Sequence, residues 1–320
     1  MKVFIFSWNS QSICYEEKPN FIEKLWEEIC KDNYTLLAFA FQEEASKSDL
    51  PKFIGETVNE TYELIDSTQL LGWGVTTFKR LQQGEYVPRG LKLSLYKKRD
   101  SMLEIKSVRN SCILCPSLRD WITWGKGAVI VTLVTNLGIV TFINMHLPFY
   151  SRFNRDEALS WQSYCFNYLY GAALEEVAPN YLFIMGDLNF RVSLRNEPTA
   201  YEVAAKMFSS EGYLREMYQE GDELKLILDY AKLRGEIPVS EGVENRGPEF
   251  FPTCKLKHHR TGKEGVELYK LGTSYQRTPS WCDRILYKSN RTIQCYKYDR
   301  FDYGLMNLSD HAAVMGGFMI

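Results

Sequence analysis

Apolar residues fall along this chain in short runs, not in long helical stripes. Lys2 to Trp8 (KVFIFSW) and Leu36 to Phe41 (LLAFAF) are short and rich in large side chains, which predicts two buried strands. The first ends at Asn9 and the second at Gln42-Glu43. Between them, Phe21 to Cys30 (FIEKLWEEIC) spaces its apolar residues at helical intervals with acids in the gaps, predicting an amphipathic helix. Tyr62 to Lys97 alternates and is broken by Gly72, Gly74, Gly84 and Gly90, predicting a meander of antiparallel strands. Gly127 to Val134 and Ile139 to Met145 flank Asn136-Leu137-Gly138, a hairpin signal. Arg155 to Glu176 predicts a helix and Tyr181 to Met185 another buried strand, stopped by Gly186. Thr199 to Arg234 predicts mostly helix with breaks at Gly212 and Gly221, followed by strands near 252–257, 282–287, 293–298 and 312–319. Helices fall between strands in both halves, so the expected fold is α/β: one domain over residues 1–320, a sandwich of two mixed sheets with helices outside.

Polar residues cluster where these strands end. The run YLFIM is followed by Gly186 and then by Asp187, Asn189 and Arg191 at every second position. If the chain stays extended there, all three point to one side, an arrangement that suits phosphate chemistry. The alternative is a strand closing in an Asx-type turn, with the same residues capping backbone groups. Other strand ends carry Asn9, Glu43, Asn144-Met145-His146, and Ser309-Asp310-His311 before the last strand. Of four histidines (146, 258, 259 and 311), two therefore lie in strand-end clusters, where layered α/β folds gather ligand sites. One Glu and one Asn suit Mg²⁺, which takes few protein carboxylates; no His₃ or thiolate set suggests zinc.

Composition narrows the function classes. Hydrophobic residues make up 45% and charged residues 24%, an ordinary globular balance, and a net charge of -2 gives no basic excess for nucleic acid. Eight cysteines are scattered, and only Cys112 and Cys115 form a C-x-x-C pair, with no second pair to complete a zinc site. That pattern predicts a reducing, cytoplasmic setting. The N-terminal apolar run is too short for a signal peptide and nothing approaches a membrane span, so membrane contact is expected to be peripheral.

Several segments together resemble the inositol polyphosphate 5-phosphatases, within the superfamily that also holds DNase I-like nucleases, abasic-site endonucleases and sphingomyelinases. RTPSWCDRIL (277–286) is similar to that family's R-x-P-x-W-C-D-R-I-L hallmark, GDLNFR (186–191) to its GDxNYR, and FPTCKL (251–256) to its FxPTYKY. WGKGAV (124–129), INMHL (143–147) and SDHAAV (309–314) resemble NKGAV, NxHL and SDHxPV, and Arg155-Asp156 loosely fits the R-N-x-D segment. The resemblance runs nearly end to end. It implies a four-layer α/β/β/α sandwich and hydrolysis of a phosphomonoester by direct attack of water. Glu43 and Asn9 would hold Mg²⁺, and Asp187 would activate the water. Asn189 would donate to a phosphate oxygen or to that water, and His146 would contact the scissile phosphate. His311 would pair with Asp283, with Asp310 helping at the metal or the water. Lys126, Arg191, Lys255 and Arg277 are the expected phosphate contacts, whereas alternation along the strand directs Arg284 into a structural pair.

The chain departs from the family's pattern at three places. Cys254 and Tyr275 stand where a Tyr and a basic residue would contact a 4-phosphate, and Phe190 replaces the Tyr of GDxNYR. Dependence on a 4-phosphate is therefore expected to be weakened. Leu147-Pro148-Phe149-Tyr150 and Leu70 to Trp73 are candidates for bilayer contact or for ordinary packing, and His258, His259, Arg260 and Lys263 for anionic headgroups or a solvated loop. The expected partner is an inositol phosphate or phosphoinositide, with no nucleic acid, and the expected state is a monomer. An abasic-site or DNase-like endonuclease and a catalytically silent phosphoinositide-binding module are the alternatives.

Overall fold

The structure, a computed structural model, describes residues 1–11, 20–45, 50–72, 89–116, 125–149, 154–175, 178–194, 199–233, 239–257, 265–272, 278–301 and 309–320. In the first half β1 (Lys2–Asn9), α1 (Asn20–Cys30), β2 (Leu36–Ala45), α2 (Leu50–Val58), β3 (Tyr62–Gly72) and β4 (Arg89–Lys98) follow one another. Then come β5 (Ile105–Leu114), β6 (Gly127–Thr135), β7 (Gly138–His146), α3 (Arg155–Glu175) and β8 (Tyr181–Asp187). Three short helices follow, α4 (Ala200–Ser209), α5 (Tyr213–Gly221) and α6 (Glu223–Leu233), and then β9 (Ser240–Glu241), β10 (Asp283–Ser289), β11 (Gln294–Phe301) and β12 (Ala313–Met319).

The strands form two six-stranded sheets, ordered β11-β12-β1-β2-β4-β3 and β5-β6-β7-β8-β10-β9. Each has one parallel pair, β1 with β2 and β7 with β8; the other neighbours run antiparallel. A parallel pair needs a crossover, and α1 and α3 supply the two.

Three apolar clusters make four layers. The largest lies between the sheets and joins Val3, Ile5 and Ala38 of one to Val131, Phe142 and Phe183 of the other. Phe4, Phe6, Phe39 and Phe41, the alternate residues of β1 and β2, pack outward against Phe21, Leu25 and Ile29 of α1. Ile143, Ile184 and Leu286 pack outward against Cys165, Phe166 and Leu169 of α3. A strand buried on both faces has no polar alternation, which is why KVFIFSW and YLFIM are continuously apolar.

The breaks expected at Gly212 and Gly221 fall at the ends of α5: Gly212 is its left-handed N-cap (φ 83°) and Gly221 its last residue. Three elements were not expected, α2, β5 and the two-residue β9. β5 is a sheet edge with mostly exposed residues, so its sequence carries no buried run. The strand expected at 252–257 does not form. Only isolated bridges occur there, from Cys254 to Ser280 and to His311 and from Leu256 to Tyr269, because the segment crosses between elements. No helix among the described residues is long and apolar enough to cross a membrane.

Candidate active site

The inward faces of both sheets change character at one end. Along β7 the inward positions run Val140, Phe142, Asn144, His146; along β8, Tyr181, Phe183, Met185, Asp187; along β10, read backwards, Tyr287, Ile285, Asp283. Strand register places His146 beside Asp187 and Asp187 beside Asp283, so three ionisable side chains share one rung across three strands. On the facing sheet Val3, Ile5, Ser7 and Asn9 make the same change, with Asn9 opposite Gln42. One step below the rung, Asn144 ties the sheets together. Its Nδ2 donates to Phe41 O at 3.0 Å and to Lys92 O at 2.9 Å, and its Oδ1 accepts from Gln42 Nε2 at 2.7 Å. The site is thus a polar cap on the inter-sheet core.

Asp187 is its centre. Asn9 Nδ2 donates to Asp187 Oδ2 at 2.9 Å across the sheets, and His146 Nε2 lies 3.2 Å from the same oxygen. The other oxygen accepts the Asn189 N–H at 3.0 Å, and Asn189 sits in the left-handed region (φ 57°), so the strand closes in an Asx turn at Asp187. The extended alternation through Arg191 does not persist, yet Asn189 and Arg191 still meet: Arg191 Nη2 donates to Asn189 Oδ1 at 3.1 Å. Gly186 permits this junction, because at φ 139° a Cβ there would lie 1.9 Å from Met145 O. Burial works against an ionised Asp187, but His311, His146 and Lys126 override it and hold the carboxyl well below the usual range.

His311 reaches the same point from the loop before β12. Its Nδ1 is 2.8 Å from Asp283 Oδ2, which also accepts from Thr253 Oγ1 at 2.7 Å, and its Nε2 lies 3.9 Å from Asp187 Oδ2. Burial alone would lower the imidazole; Asp283, Cys254 and Asp187 together raise it well above its ordinary value. His146 has the opposite environment, with burial and then the neighbouring Lys126 lowering it. One histidine is therefore a cation at neutral pH and the other a neutral ring. A charge carried by a raised pKa is complete below that pKa and lost as pH rises through it. If the site is catalytic, kcat/KM should fall as pH rises through the raised His311 pKa, and this alkaline limb should vanish in His311→Gln; a profile unchanged by the substitution would contradict a charged role for His311.

Glu43 flanks the cap from a bulge in β2 at which its own φ is 53°. Its side chain is 29% exposed, 3.2 Å from Arg89 Nη1 and 3.9 Å from Lys126 Nζ. Burial opposes its charge, but the cations of Lys126 and Arg89 keep it ionised. Lys126 also contacts His146 Nε2. Asp310 takes the Lys255 ammonium and the Gln11 amide and lies 3.7 Å from His311 Nε2.

The donor set suits a hard divalent cation. Asn9 Oδ1 is buried without a hydrogen-bond partner among the described residues, while its amide nitrogen is committed to Asp187, and Glu43 supplies a nearby carboxylate. Asp187, Asp283 and His311 also bring one possible ligand atom each within 4.8 Å of one another. We read that trio as ion-paired machinery, because His311 Nδ1 is already bound to Asp283.

The profile of endonuclease/exonuclease/phosphatase family 2 matches residues 6–317. The chain belongs to that family. Among curated family relatives, it is similar to type IV inositol polyphosphate 5-phosphatase 9 of Arabidopsis thaliana, 31% identical over 43% of this chain and 28% of that one. It is also similar to phosphatidylinositol 3,4,5-trisphosphate 5-phosphatase 1 of Xenopus laevis, 28% identical over 61% of this chain and 19% of that protein. The chain thus spans less than a third of the length of these curated relatives. In fold it resembles the inositol polyphosphate 5-phosphatase domain of SPsynaptojanin, solved with inositol (1,4)-bisphosphate and a calcium ion. The TM-score is 0.66 at 19% identity, covering 99% of this chain and 83% of that one. Cimex nitrophorin, solved as a ferrous NO complex, matches at TM-score 0.65 and 19% identity over 99% and 97% of the two chains. The family fold thus hosts unlike chemistry, and function has to be argued from the site.

Family motifs and structure part at several residues. Phe190 faces away from the site. It is fully buried in the cluster under α3, 6.3 Å from the Phe166 ring, so the hydroxyl expected to be missing from the pocket would lie in the core. Cys254 is also fully buried, with its sulfur 3.4 Å from Arg191 Nη1 and 3.5 Å from His311 Nε2, so it supports these groups from below and leaves no surface for a phosphate. Leu147 and Pro148 are buried, and half-buried Phe149 has the Arg191 guanidinium 4.4 Å from its ring, so these three residues pack into the fold. Arg284 is structural, as alternation suggested, and fully buried against Asp222 and Glu241. Arg277, Tyr275, Tyr150, Trp73, His258, His259, Arg260 and Lys263 lie outside the described residues. Sequence reasoning missed Thr253, Arg89, Gln162, whose Nε2 donates to Leu188 O at 2.7 Å, and Glu223. Thr253 lay inside a quoted motif; the others have no local signal.

Proposed function

We propose that the chain is a single Mg²⁺-dependent phosphatase domain that removes the 5-phosphate of inositol polyphosphates or phosphoinositides by direct attack of water. The observation that carries this reading is the rung of His146, Asp187 and Asp283 with a cationic His311 beside it. The names of the curated relatives supply the substrate class.

Each residue has a physical task. Asp187, ionised and anchored through both oxygens, orients a water and takes its proton. His311, charged and oriented by Asp283, donates through Nε2 to the phosphoryl oxygens as charge builds on them. Neutral His146, Lys126 and Arg191 surround the same point. Asn9 and Glu43 would hold the metal, which when bound neutralises phosphate charge and stabilises the leaving alkoxide. Positioning and electrostatics of this kind dominate phosphoryl transfer. The protein would act in the cytoplasm, at membranes only peripherally.

Two of the family's 4-phosphate positions are altered in availability here: Cys254 is buried, and Lys255 is engaged with Asp310. A site with fewer free donors discriminates less sharply. Rates on paired substrates with and without a 4-phosphate should therefore agree within roughly tenfold, and a preference beyond roughly a thousandfold would contradict the weakened contact.

A further inference from the structure

The junction between α5 and α6, Gly221-Asp222-Glu223, grips both segments that carry the site. Asp222 accepts from Arg284 Nη1 at 2.8 and 3.0 Å and bridges Val192, while the Ser193 N–H donates to Gly221 O at 2.8 Å. Glu223 holds Arg191 from both sides: its N–H donates to Arg191 O at 3.0 Å, and its Oε2 accepts the Arg191 N–H at 2.8 Å. Arg155 Nε lies 3.8 Å from its other oxygen. The side chain is nearly fully buried, and burial pushes the carboxyl up to about 7. A buried carboxylate with so few donors costs free energy, so contact-making alone is a poor reason for it.

What it holds is the backbone of a guanidinium aimed at the polar cap. Arg191 donates through Nη2 to Asn189 and through Nη1 to the Cys254 sulfur and stacks on Phe149, while its Nε is buried with no hydrogen-bond partner among the described residues. Its peptide follows the left-handed turn at Asn189 and precedes the bridge at Val192. A rotation of that peptide would carry the guanidinium away from Asn189 and Asp187. We infer that Glu223, which touches no reacting atom, is a positioning residue that sets phosphate affinity by fixing the Arg191 backbone. The inference rests on the phosphatase reading for the identity of the substrate, and on the clamp geometry for everything else.

Glu223→Gln keeps an oxygen for the Arg191 N–H; Glu223→Ala removes it, and Glu223→Met removes it at similar volume should the alanine variant fail to fold. In steady-state assays the alanine or methionine variant should raise KM about tenfold, the worth of one buried hydrogen bond, with kcat within about threefold. Glu223→Gln should match the wild type. On an Arg191→Ala background, Glu223→Ala should add nothing further to KM. Calorimetric titration with inorganic phosphate reads the same affinities without turnover, so an inactive wild type would sink the phosphatase reading and leave this test in force. Unchanged affinity in Glu223→Ala and Glu223→Met, or equal loss in Glu223→Gln, or an undiminished effect on the Arg191→Ala background, would overturn the inference.

Discussion

Asp187→Asn should lower turnover by roughly 10²–10⁴-fold while leaving the fold intact. The amide keeps the volume of the carboxylate but only one acceptor oxygen, so it can hold the Asn189 N–H and keep the Asx turn while the cross-sheet bond from Asn9 Nδ2 is lost. It cannot take a proton from water, and it withdraws one of the carboxylates that raise His311. Asp187→Ala should lose at least as much and should also be less stable, since the Asn9 amide and the Asn189 N–H would both be left buried and unpaired. Initial rates at saturating substrate, alongside thermal unfolding of both variants, make the comparison. Wild-type turnover in Asp187→Asn would remove the proton-accepting role.

The second large effect is on stability. Arg284 is fully buried, with Nε 2.6 Å from Glu241 Oε1, Nη2 on Glu241 Oε2, and Nη1 on both Asp222 oxygens and on Trp281 O at 3.2 Å. Tyr298 and Tyr218 complete the shell by donating to Glu241 at 2.8 and 3.2 Å. Taking such a network out of water is costly, and removing only its cation strands two buried carboxylates. Arg284→Met should therefore destabilise the protein by about 3–5 kcal/mol, seen as a lower urea midpoint. Burial already pushes Asp222 up to about 6 against the pull of Arg284, and without the arginine it rises further above its unfolded value, so its penalty grows as pH rises. The variant should be relatively more stable near pH 5 than near pH 8. An unfolding free energy within about 0.5 kcal/mol of wild type would show that the network carries little of the fold's stability. Because Asp222 also bridges Val192, some loss of activity is expected alongside, through displacement of the segment that carries Arg191.

How much of this was visible in sequence depends on period. The two buried parallel pairs, α1 and α3 were plain, because continuous apolar runs alternate with helical spacing there. β5 and β9 were not, since an exposed edge strand and a two-residue strand have no buried run to display. The 252–257 segment misled for the converse reason: its apolar residues pack as bridges from a crossing loop. Within the site, strand ends pointed to Asn9, Glu43, His146, Asp187 and His311, but strand register alone puts His146, Asp187 and Asp283 on one rung. The substitution read as a pocket change at Phe190 fared worst: its side chain is buried in the core under α3, and burial direction is not encoded in a motif. Glu223 illustrates the same limit, a helix-start acid whose partner stands 32 residues earlier in the chain.

The measurement that most directly tests the central claim is phosphate release by the wild-type chain from an inositol polyphosphate and from phosphoinositide vesicles. Each should be run with Mg²⁺ and with a chelator, with the position of the lost phosphate assigned by NMR. The account predicts metal-dependent release of the 5-phosphate from at least one of the two, abolished in Asp187→Asn. Release that survives chelation, loss of a different phosphate, or no release from either substrate would contradict it.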